Sequence, residues 1–105
     1  MKSQQSPYYA VIFTSLKSQY NEGYEEWGKR MFELVRQESG YLGHESYQNP
    51  DGTGVTISFW KDLQSIAHWK NNHEHQHAQE LGRQKWYKHY RIRVCKVERD
   101  YVFPL

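Results

Sequence analysis

The sequence predicts an α+β domain whose elements follow one another in the order β-α-β-β-α-β. Three observations lead to this class. An apolar run near the N-terminus, residues 8–15, is rich in the β-branched and aromatic residues that favour strands. Two longer segments repeat their apolar residues every three or four positions, which is the spacing of amphipathic helices. A turn signal at residues 49–54 separates two further segments of strand-like composition.

Length and composition restrict the kind of protein this can be. A chain of 105 residues is expected to form one domain, which we place at residues 7–105, after a flexible N-terminus at residues 1–6. Aromatic residues make up 16% of the chain and supply apolar area for a core, although the mean hydropathy is -1.02. The net charge of +2 is small and the charges are interspersed, so we expect no nucleic-acid partner.

Cysteine usage and the terminal residues predict the compartment. Cys95 is the only cysteine, so no internal disulfide can form, which fits a reducing compartment. Its expected role is that of a small, buried or half-buried strand residue. The N-terminus lacks the apolar stretch of a signal peptide, and no run approaches the length of a membrane span. We therefore expect a cytoplasmic protein with no membrane partner.

The first strand, at residues 8–15, reads YYAVIFTS and is apolar almost throughout. Strands without alternation are typically buried on both faces. In a domain with two helical regions, the helices cover one face of the sheet and leave the other open to water. The apolar second face therefore predicts a second subunit packed against it, which gives a homodimer.

The first helix is expected at residues 20–38, with Ser18 or Asn21 as its N-cap and Gly40 just beyond its C-terminus. An apolar stripe at steps of three and four marks the face that turns towards the core. Its members are Tyr20, Tyr24, Trp27, Met31, Leu34 and Val35.

The second and third strands are expected to form a hairpin. Residues 41–48 give the second strand, the turn reads NPDGTG, and residues 55–60 give the third strand. Alternation along the third strand divides its side chains between the two faces of the sheet. Val55, Ile57 and Phe59 fall on one face, and Thr56, Ser58 and Trp60 fall on the other.

The second helical region starts after Asp62, its expected N-cap, and its apolar phase drifts near Asn71 and Asn72, where we expect a break. Gly82 removes a side chain where helix and sheet can approach closely. The last strand, residues 87–99, is long and alternates charged with apolar residues. The complete order is the ferredoxin-like arrangement. A second helical stripe, beyond the break, consists of His75, Ala78, Gly82 and Trp86.

Most of the chain, from about Tyr8 to Tyr101, carries a resemblance to a known family. The most telling residues are Phe59-Trp60, Trp69, Glu74-His75, Ala78-Gln79, Gly82 and Trp86-Tyr87, followed by residues 93–101. With these residues the chain resembles the antibiotic biosynthesis monooxygenase (ABM) superfamily of dimeric α+β barrel proteins. The resemblance implies two ferredoxin-like subunits packed sheet to sheet, a last strand that reaches the partner, and a pocket in each subunit between sheet and helices.

The resemblance also implies a chemistry. Enzymes of this superfamily use no metal or flavin and add oxygen to electron-rich polycyclic phenols, by letting the substrate carbanion react with O2. Such a reaction needs a dry aromatic cavity and a base or hydrogen bond that stabilises the deprotonated phenol. His75 lies on the stripe that should face the sheet and is the candidate catalytic residue. The candidate substrate-binding residues are Trp60, Trp69, Trp86 and Arg93.

Each candidate has a simpler alternative. His75 can be a structural histidine that is hydrogen-bonded to the backbone or to a carboxylate. The three tryptophans can be ordinary core residues, since large aromatic side chains usually pack there. Arg93, like Arg91, can belong to an ion pair between subunits.

Two further histidines raise the question of a metal. His73 and His77 share a helix face at i,i+4 spacing. The segment HEHQH does not match the H-E-x-x-H motif, and the sequence supplies no third ligand nearby. We therefore predict no metal and no cofactor.

Haem-degrading relatives pair a histidine on the second helical region with a tryptophan and a first-strand asparagine. Here Trp69 fits the tryptophan, but Gln79 stands at the histidine position and the first strand carries Phe13 and Thr14. The predicted function is a cofactor-independent monooxygenase that acts on a small aromatic or quinol-like molecule. One alternative is a non-catalytic dimeric module that binds a hydrophobic ligand or is stress-associated. The other is a haem-binding or haem-degrading protein.

Overall fold

A computed structural model of the chain describes residues 7–104 and confirms the α+β class. The predicted flexible segment at residues 1–6 lies outside the described residues, as does the last residue of the predicted domain. No helix of the described part is long and apolar enough to cross a membrane. The elements are β1 (Tyr8–Lys17), α1 (Tyr24–Val35), β2 (Tyr41–Gln48), β3 (Thr53–Trp60), α2 (Leu63–Lys70), α3 (His73–Leu81), a π-helical turn (Gly82–Trp86) and β4 (Tyr87–Val97).

The strands form one antiparallel sheet in the order β2-β3-β1-β4, which is the ferredoxin-like topology that the sequence predicts. β1 lies between β3 and β4, so both of its edges are hydrogen-bonded. Val11, for example, is level with Ser58 of β3 and with Val94 of β4. In the single chain Tyr8 and Ala10 of β1 are buried, and the other residues of this strand are half-buried.

Alternation along the strands divides the sheet into two faces. Val11 and Phe13 turn towards the helices, where they line a cavity together with Thr56 and Trp60, as predicted for β3. Ile12 lies on the far face, level with Ile57 and with Arg93. All three α-helices contribute residues to the cavity and therefore lie on the first face. The far face carries the surface from which the sequence predicts a homodimer, and that assembly stays a prediction.

Tyr8 ties the C-terminal segment to the far face of the sheet. Its hydroxyl donates a hydrogen bond of 2.8 Å to the Asp100 carboxylate, and its ring lies edge-on to Phe59 at 6.0 Å. Burial, followed by the bond to Asp100, raises the pKa of Tyr8 to about 12. On the same face Cys95 lies level with Ala10 and is half-buried, as predicted.

The first helix begins at Tyr24, and the predicted N-caps Ser18 and Asn21 are wrong. The N-cap is Gly23, whose φ of 78° is in the left-handed region and which offers no side-chain cap. Ser18 instead directly follows β1, and its N–H donates a hydrogen bond of 2.7 Å to the carbonyl oxygen of Trp86 at the end of the π-helical turn. Tyr20 consequently lies before the helix and is exposed, whereas the rest of the predicted stripe is half-buried.

The prediction that Gly40 is the residue directly after the end of α1 is also wrong. The helix ends at Val35 with Arg36 as its C-cap, and Gly40 lies beyond it, buried against α2. A Cβ atom on Gly40 would come within 1.9 Å of the Ser65 hydroxyl oxygen. The glycine is required by this close approach of loop and helix.

The second helical region is divided as predicted. Asp62 caps α2 by accepting a hydrogen bond of 2.8 Å from the Ser65 N–H, and α2 ends before Asn71. Asn72 caps α3, which continues into the π-helical turn starting at Gly82. A Cβ on Gly82 would lie 3.1 Å from the Tyr87 ring, so this glycine permits the close packing predicted for it. Single π-helical turns occur frequently at functional sites.

Candidate functional site

A cavity of about 690 Å³ separates the sheet from the helices. Small-molecule sites typically measure roughly 300–1,000 Å³, so a ligand of several rings fits. Glu25 and Lys70 bring charge to the lining, and both are exposed, which places the charges at the solvent opening. Most of the remaining wall is aromatic or aliphatic. The aromatic lining residues are Phe13, Trp60 and Tyr90 from the sheet, Tyr24, Trp27, Trp69 and Trp86 from the helical segments, and Tyr87 at the start of β4.

His75 lies in the cavity wall beside Trp69. The two rings are stacked, with centroids 4.4 Å apart and planes inclined by 14°. The break between α2 and α3 produces this arrangement. Trp69 occupies the last turn of α2 and His75 the first turn of α3, where the Asn72 side chain accepts a hydrogen bond of 3.1 Å from the His75 N–H.

The hydrogen bond of the imidazole defines which nitrogen of His75 is basic. Nδ1 lies 3.0 Å from the carbonyl oxygen of Trp69. A carbonyl can only accept, so Nδ1 carries the proton and Nε2 keeps a lone pair in the neutral ring. Burial lowers the pKa of His75, although the bond to Trp69 partly opposes this shift. The ring is therefore held neutral at pH 7, in the state in which it can accept a proton.

The structure brings the three predicted tryptophans together around the cavity. Trp60 is 1% exposed, and its indole N–H donates to the Ser58 hydroxyl at 2.9 Å. Trp86 is 5% exposed, and its N–H donates to the Glu22 carbonyl at 3.0 Å. Trp60 and Trp86 are thus core residues that also form part of the cavity wall. Packing in the core is therefore compatible with their predicted contact with a ligand.

Arg93 lies on the opposite side of the sheet from the cavity. The residues of β4 that line the cavity are Tyr90, Ile92 and Val94. Alternation therefore directs Arg93 to the far face, where it is level with Ile12. Arg93 therefore does not line this cavity, and its role in substrate binding stays a prediction.

The other residues weighed for metal or haem lie apart from one another. His77 packs against the Trp27 ring at 5.1 Å, and His73 is exposed. Among residues 7–104, no three His, Cys, Asp or Glu side chains come together in a way that could hold a metal ion. Gln79 and Phe13, which replace residues of the haem-degrading pattern, both line the cavity.

A salt bridge holds α1 to α3 over the cavity. Arg30 donates to both carboxylate oxygens of Glu74, at 2.7 and 2.9 Å. The guanidinium holds the pKa of Glu74 below its usual value, chiefly through the hydrogen bond. No residue of α1 is fully buried, so this bridge and the contact of Trp27 with His77 matter for the position of the helix.

Sequence reasoning missed a tyrosine pair in the cavity wall. The Tyr87 hydroxyl donates to the Tyr24 hydroxyl oxygen at 3.2 Å. Burial, followed by this bond, raises the pKa of Tyr87. The sequence places Tyr24 in a core stripe and Tyr87 at a strand start, and the positions are 63 residues apart, so no local pattern links them.

Comparison with known families gives a match that covers well over half of the chain. The family model described as antibiotic biosynthesis monooxygenase matches residues 7–81. The uncharacterized protein YqjZ of Bacillus subtilis (strain 168) is 46% identical over 102 residues, which cover 97% of this chain and 90% of the relative.

Solved structures share the fold at low sequence identity. Rv0793 from Mycobacterium tuberculosis superposes with a TM-score of 0.75 at 14% identity, covering 91% of this chain and 98% of that chain. SnoaB, a cofactor-independent oxygenase from Streptomyces nogalater, superposes with a TM-score of 0.72 at 11% identity, covering 95% of this chain and 100% of that chain. At these identities the likeness shows a common fold.

Proposed function

This chain belongs to the antibiotic biosynthesis monooxygenase family, and on that premise we propose that it is a cofactor-independent monooxygenase for a small aromatic or quinol-like molecule. The observation that carries the proposal is the neutral imidazole of His75, stacked on Trp69 in the wall of an aromatic cavity. SnoaB, whose fold this chain shares, is a cofactor-independent oxygenase, which supports the same reaction class.

In the proposed reaction His75 is the general base. Its Nε2 takes the proton of a phenolic hydroxyl, while the Nδ1–H bond to the Trp69 carbonyl holds the ring and stabilises the imidazolium that forms. Stacking on Trp69 adds a second stabilising contact for the cation, because the face of an indole attracts positive charge. The step converts the substrate into an electron-rich anion inside the cavity.

The anion then reacts with O2 without an external reductant. A ring carbon of the anion donates electrons to O2, and the proton held by His75 completes a hydroperoxide at that carbon. Loss of water, with the remaining hydrogen of that carbon, leaves a carbonyl group. A CH2 carbon and one O2 thus give one C=O and one H2O, and the substrate supplies all four electrons. The aromatic wall excludes bulk water from the anion.

Oxygen consumption with a panel of anthrone-like phenols and naphthoquinols tests the proposal. His75→Asn is the informative variant, because the Asn amide can still donate to the Trp69 carbonyl but cannot take a proton at neutral pH. His73→Asn is the matched control, since His73 is exposed on the same helix and does not line the cavity. General-base catalysis typically contributes about 10²–10⁴-fold, so we expect a loss of that order for His75→Asn and none for the control.

Two results would overturn the proposal. One is oxygen consumption by His75→Asn at the wild-type rate. The other is a set of ligands that raise the melting temperature of the wild-type protein but are never oxidised, which would make the chain a binding module for hydrophobic ligands.

A further inference from the structure

The cavity has a second polar point besides His75. It consists of the hydroxyl groups of Tyr24, in the first turn of α1, and Tyr87, at the start of β4. Tyr87 donates to the Tyr24 oxygen at 3.2 Å, and the Gln48 side-chain amide donates to the same oxygen at 3.3 Å. Both tyrosines line the cavity, so a bound molecule can reach them.

One hydroxyl proton of this pair is left for a ligand. A phenolic oxygen accepts two hydrogen bonds and donates one. Tyr24 already accepts from Tyr87 and Gln48, and its own hydroxyl donates no further hydrogen bond to any of residues 7–104. Because the pKa of Tyr87 is raised, this hydroxyl also stays protonated at neutral pH. The pair is therefore a hydrogen-bond donor towards the cavity.

The packing around the pair fixes its position before a ligand arrives. The ammonium group of Lys17 lies 4.1 Å from the centroid of the Tyr24 ring, and the Trp86 ring meets the same ring edge-on at 5.6 Å. Phe13 contacts the Tyr87 ring at 5.3 Å. Groups that are already ordered lose little further freedom on binding, so a hydrogen bond to them contributes more fully to affinity.

The two polar points lie at different ends of α3 and the π-helical turn. His75 is in the first turn of α3, and Tyr87 directly follows the π-helical turn. A rise of about 1.5 Å per residue separates the backbones of His75 and Trp86 by roughly 16 Å. The side chains converge on one cavity of about 690 Å³, which has room for fused rings that bridge the remaining distance.

We propose that the Tyr24–Tyr87 pair binds an acceptor oxygen, such as a keto group, on the edge of the ligand opposite the hydroxyl that His75 deprotonates. The substrate class is then a fused-ring aromatic molecule with a hydroxyl group at one end and a keto oxygen at the other. The inference rests on the proposed function, because it takes His75 as the base and the cavity as the site of an aromatic ligand.

A binding measurement without O2 tests this inference independently of turnover. The probes are a hydroxytetralone and the tetrahydronaphthol of the same skeleton, which lacks the keto oxygen. Calorimetric titration under nitrogen gives both dissociation constants for the wild type, the double variant Tyr24→Phe/Tyr87→Phe and the control Tyr20→Phe. The double variant is needed because either hydroxyl alone could donate to the ligand. Tyr20 is exposed and does not line the cavity, so it provides a matched loss of one hydroxyl.

A hydrogen bond of ordinary strength predicts a preference of about three- to tenfold for the hydroxytetralone in the wild type and in Tyr20→Phe. The double variant should bind the two probes equally. The inference is overturned if the wild type shows no preference or binds neither probe, or if the double variant keeps the preference. If the wild type consumes no oxygen with any phenol but still prefers the hydroxytetralone, the proposed function is rejected and this donor site remains in place.

Discussion

Asn72 fixes the position of His75 through the backbone: its side-chain oxygen accepts a hydrogen bond of 3.1 Å from the His75 N–H. The same bond caps α3 at the break after α2. The imidazole of His75 in turn bonds to the carbonyl of Trp69, on the other side of the break. A helix interruption that the sequence predicts from a change of phase is thus the feature that places the candidate base beside its stacking partner.

We expect Asn72→Ala to destabilise the protein by about 1 kcal/mol, which is the usual cost of losing an N-cap side chain. The His75 N–H would then lack its acceptor, so the variant should also bind aromatic ligands more weakly. Chemical denaturation and calorimetric titration measure the two effects. Asn71→Ala is the neighbouring control, because the described structure gives the Asn71 side chain no cap hydrogen bond. Equal losses in both variants would contradict this role of Asn72.

The pKa of His75 predicts how stability changes with pH. Burial lowers this pKa below the ordinary value of 6.5, so the unfolded chain binds a proton at a pH where the folded chain does not. The contribution of His75 to stability is therefore complete above pH 6.5 and is lost as the pH falls from 6.5 towards the folded pKa. Urea denaturation between pH 8 and pH 5 should show a smaller decrease for His75→Asn than for the wild type. A His75 imidazole that titrates above 6.5 by NMR would contradict the assignment.

Two glycine-to-alanine substitutions should have opposite effects. In Gly40→Ala the new Cβ would lie 1.9 Å from the Ser65 oxygen and 2.3 Å from the Ser65 Cβ, so backbone must move. We expect a loss of about 1–3 kcal/mol, as for other overpacked sites. Gly28→Ala, inside α1, meets nothing within 4 Å and should stabilise the helix by about 0.5–1 kcal/mol. Thermal denaturation distinguishes the two, and a neutral Gly40→Ala would contradict the close packing of loop and α2.

The far face of the sheet predicts the oligomeric state. Ile57 points to this face, level with Ile12 of β1, and is half-buried in the single chain. If two sheets pack together, Ile57→Asp places an unpaired carboxylate between them and should give a monomer in sedimentation experiments. Ser46→Asp, exposed on β2, is the control and should leave the dimer unchanged. A wild-type chain that sediments as a monomer at micromolar concentration would contradict the predicted homodimer.

Periodicity predicted most of the fold, because the repeat of apolar residues in a helix or strand follows the face that turns towards the interior. The bounds of β2 and the break at Asn72 agree with the sequence prediction. The start of α1 could not be predicted from the stripe of apolar residues. Tyr20 continues the spacing of the stripe, but the left-handed conformation of Gly23 ends the preceding turn and lets the helix begin at Tyr24.

The site was predictable where it follows one helix and unpredictable where it depends on tertiary structure. His75 and Trp86 share a stripe, and both line the cavity. Alternation in β4 separates Arg93 from Ile92, but the sequence does not say which of the two faces the helices. The pairing of Tyr24 with Tyr87 arises from packing across the whole domain and has no local signal.

The role of His75 as a base is tested most directly by the spectrum of a bound phenol in the absence of O2. An anthrone-like phenol mixed with the wild-type protein at pH 7 under nitrogen should show the absorption of its anion, which should decay when O2 is admitted. His75→Asn should bind the same molecule without forming the anion. An anion spectrum of equal intensity in His75→Asn would contradict the proposal that His75 takes the proton.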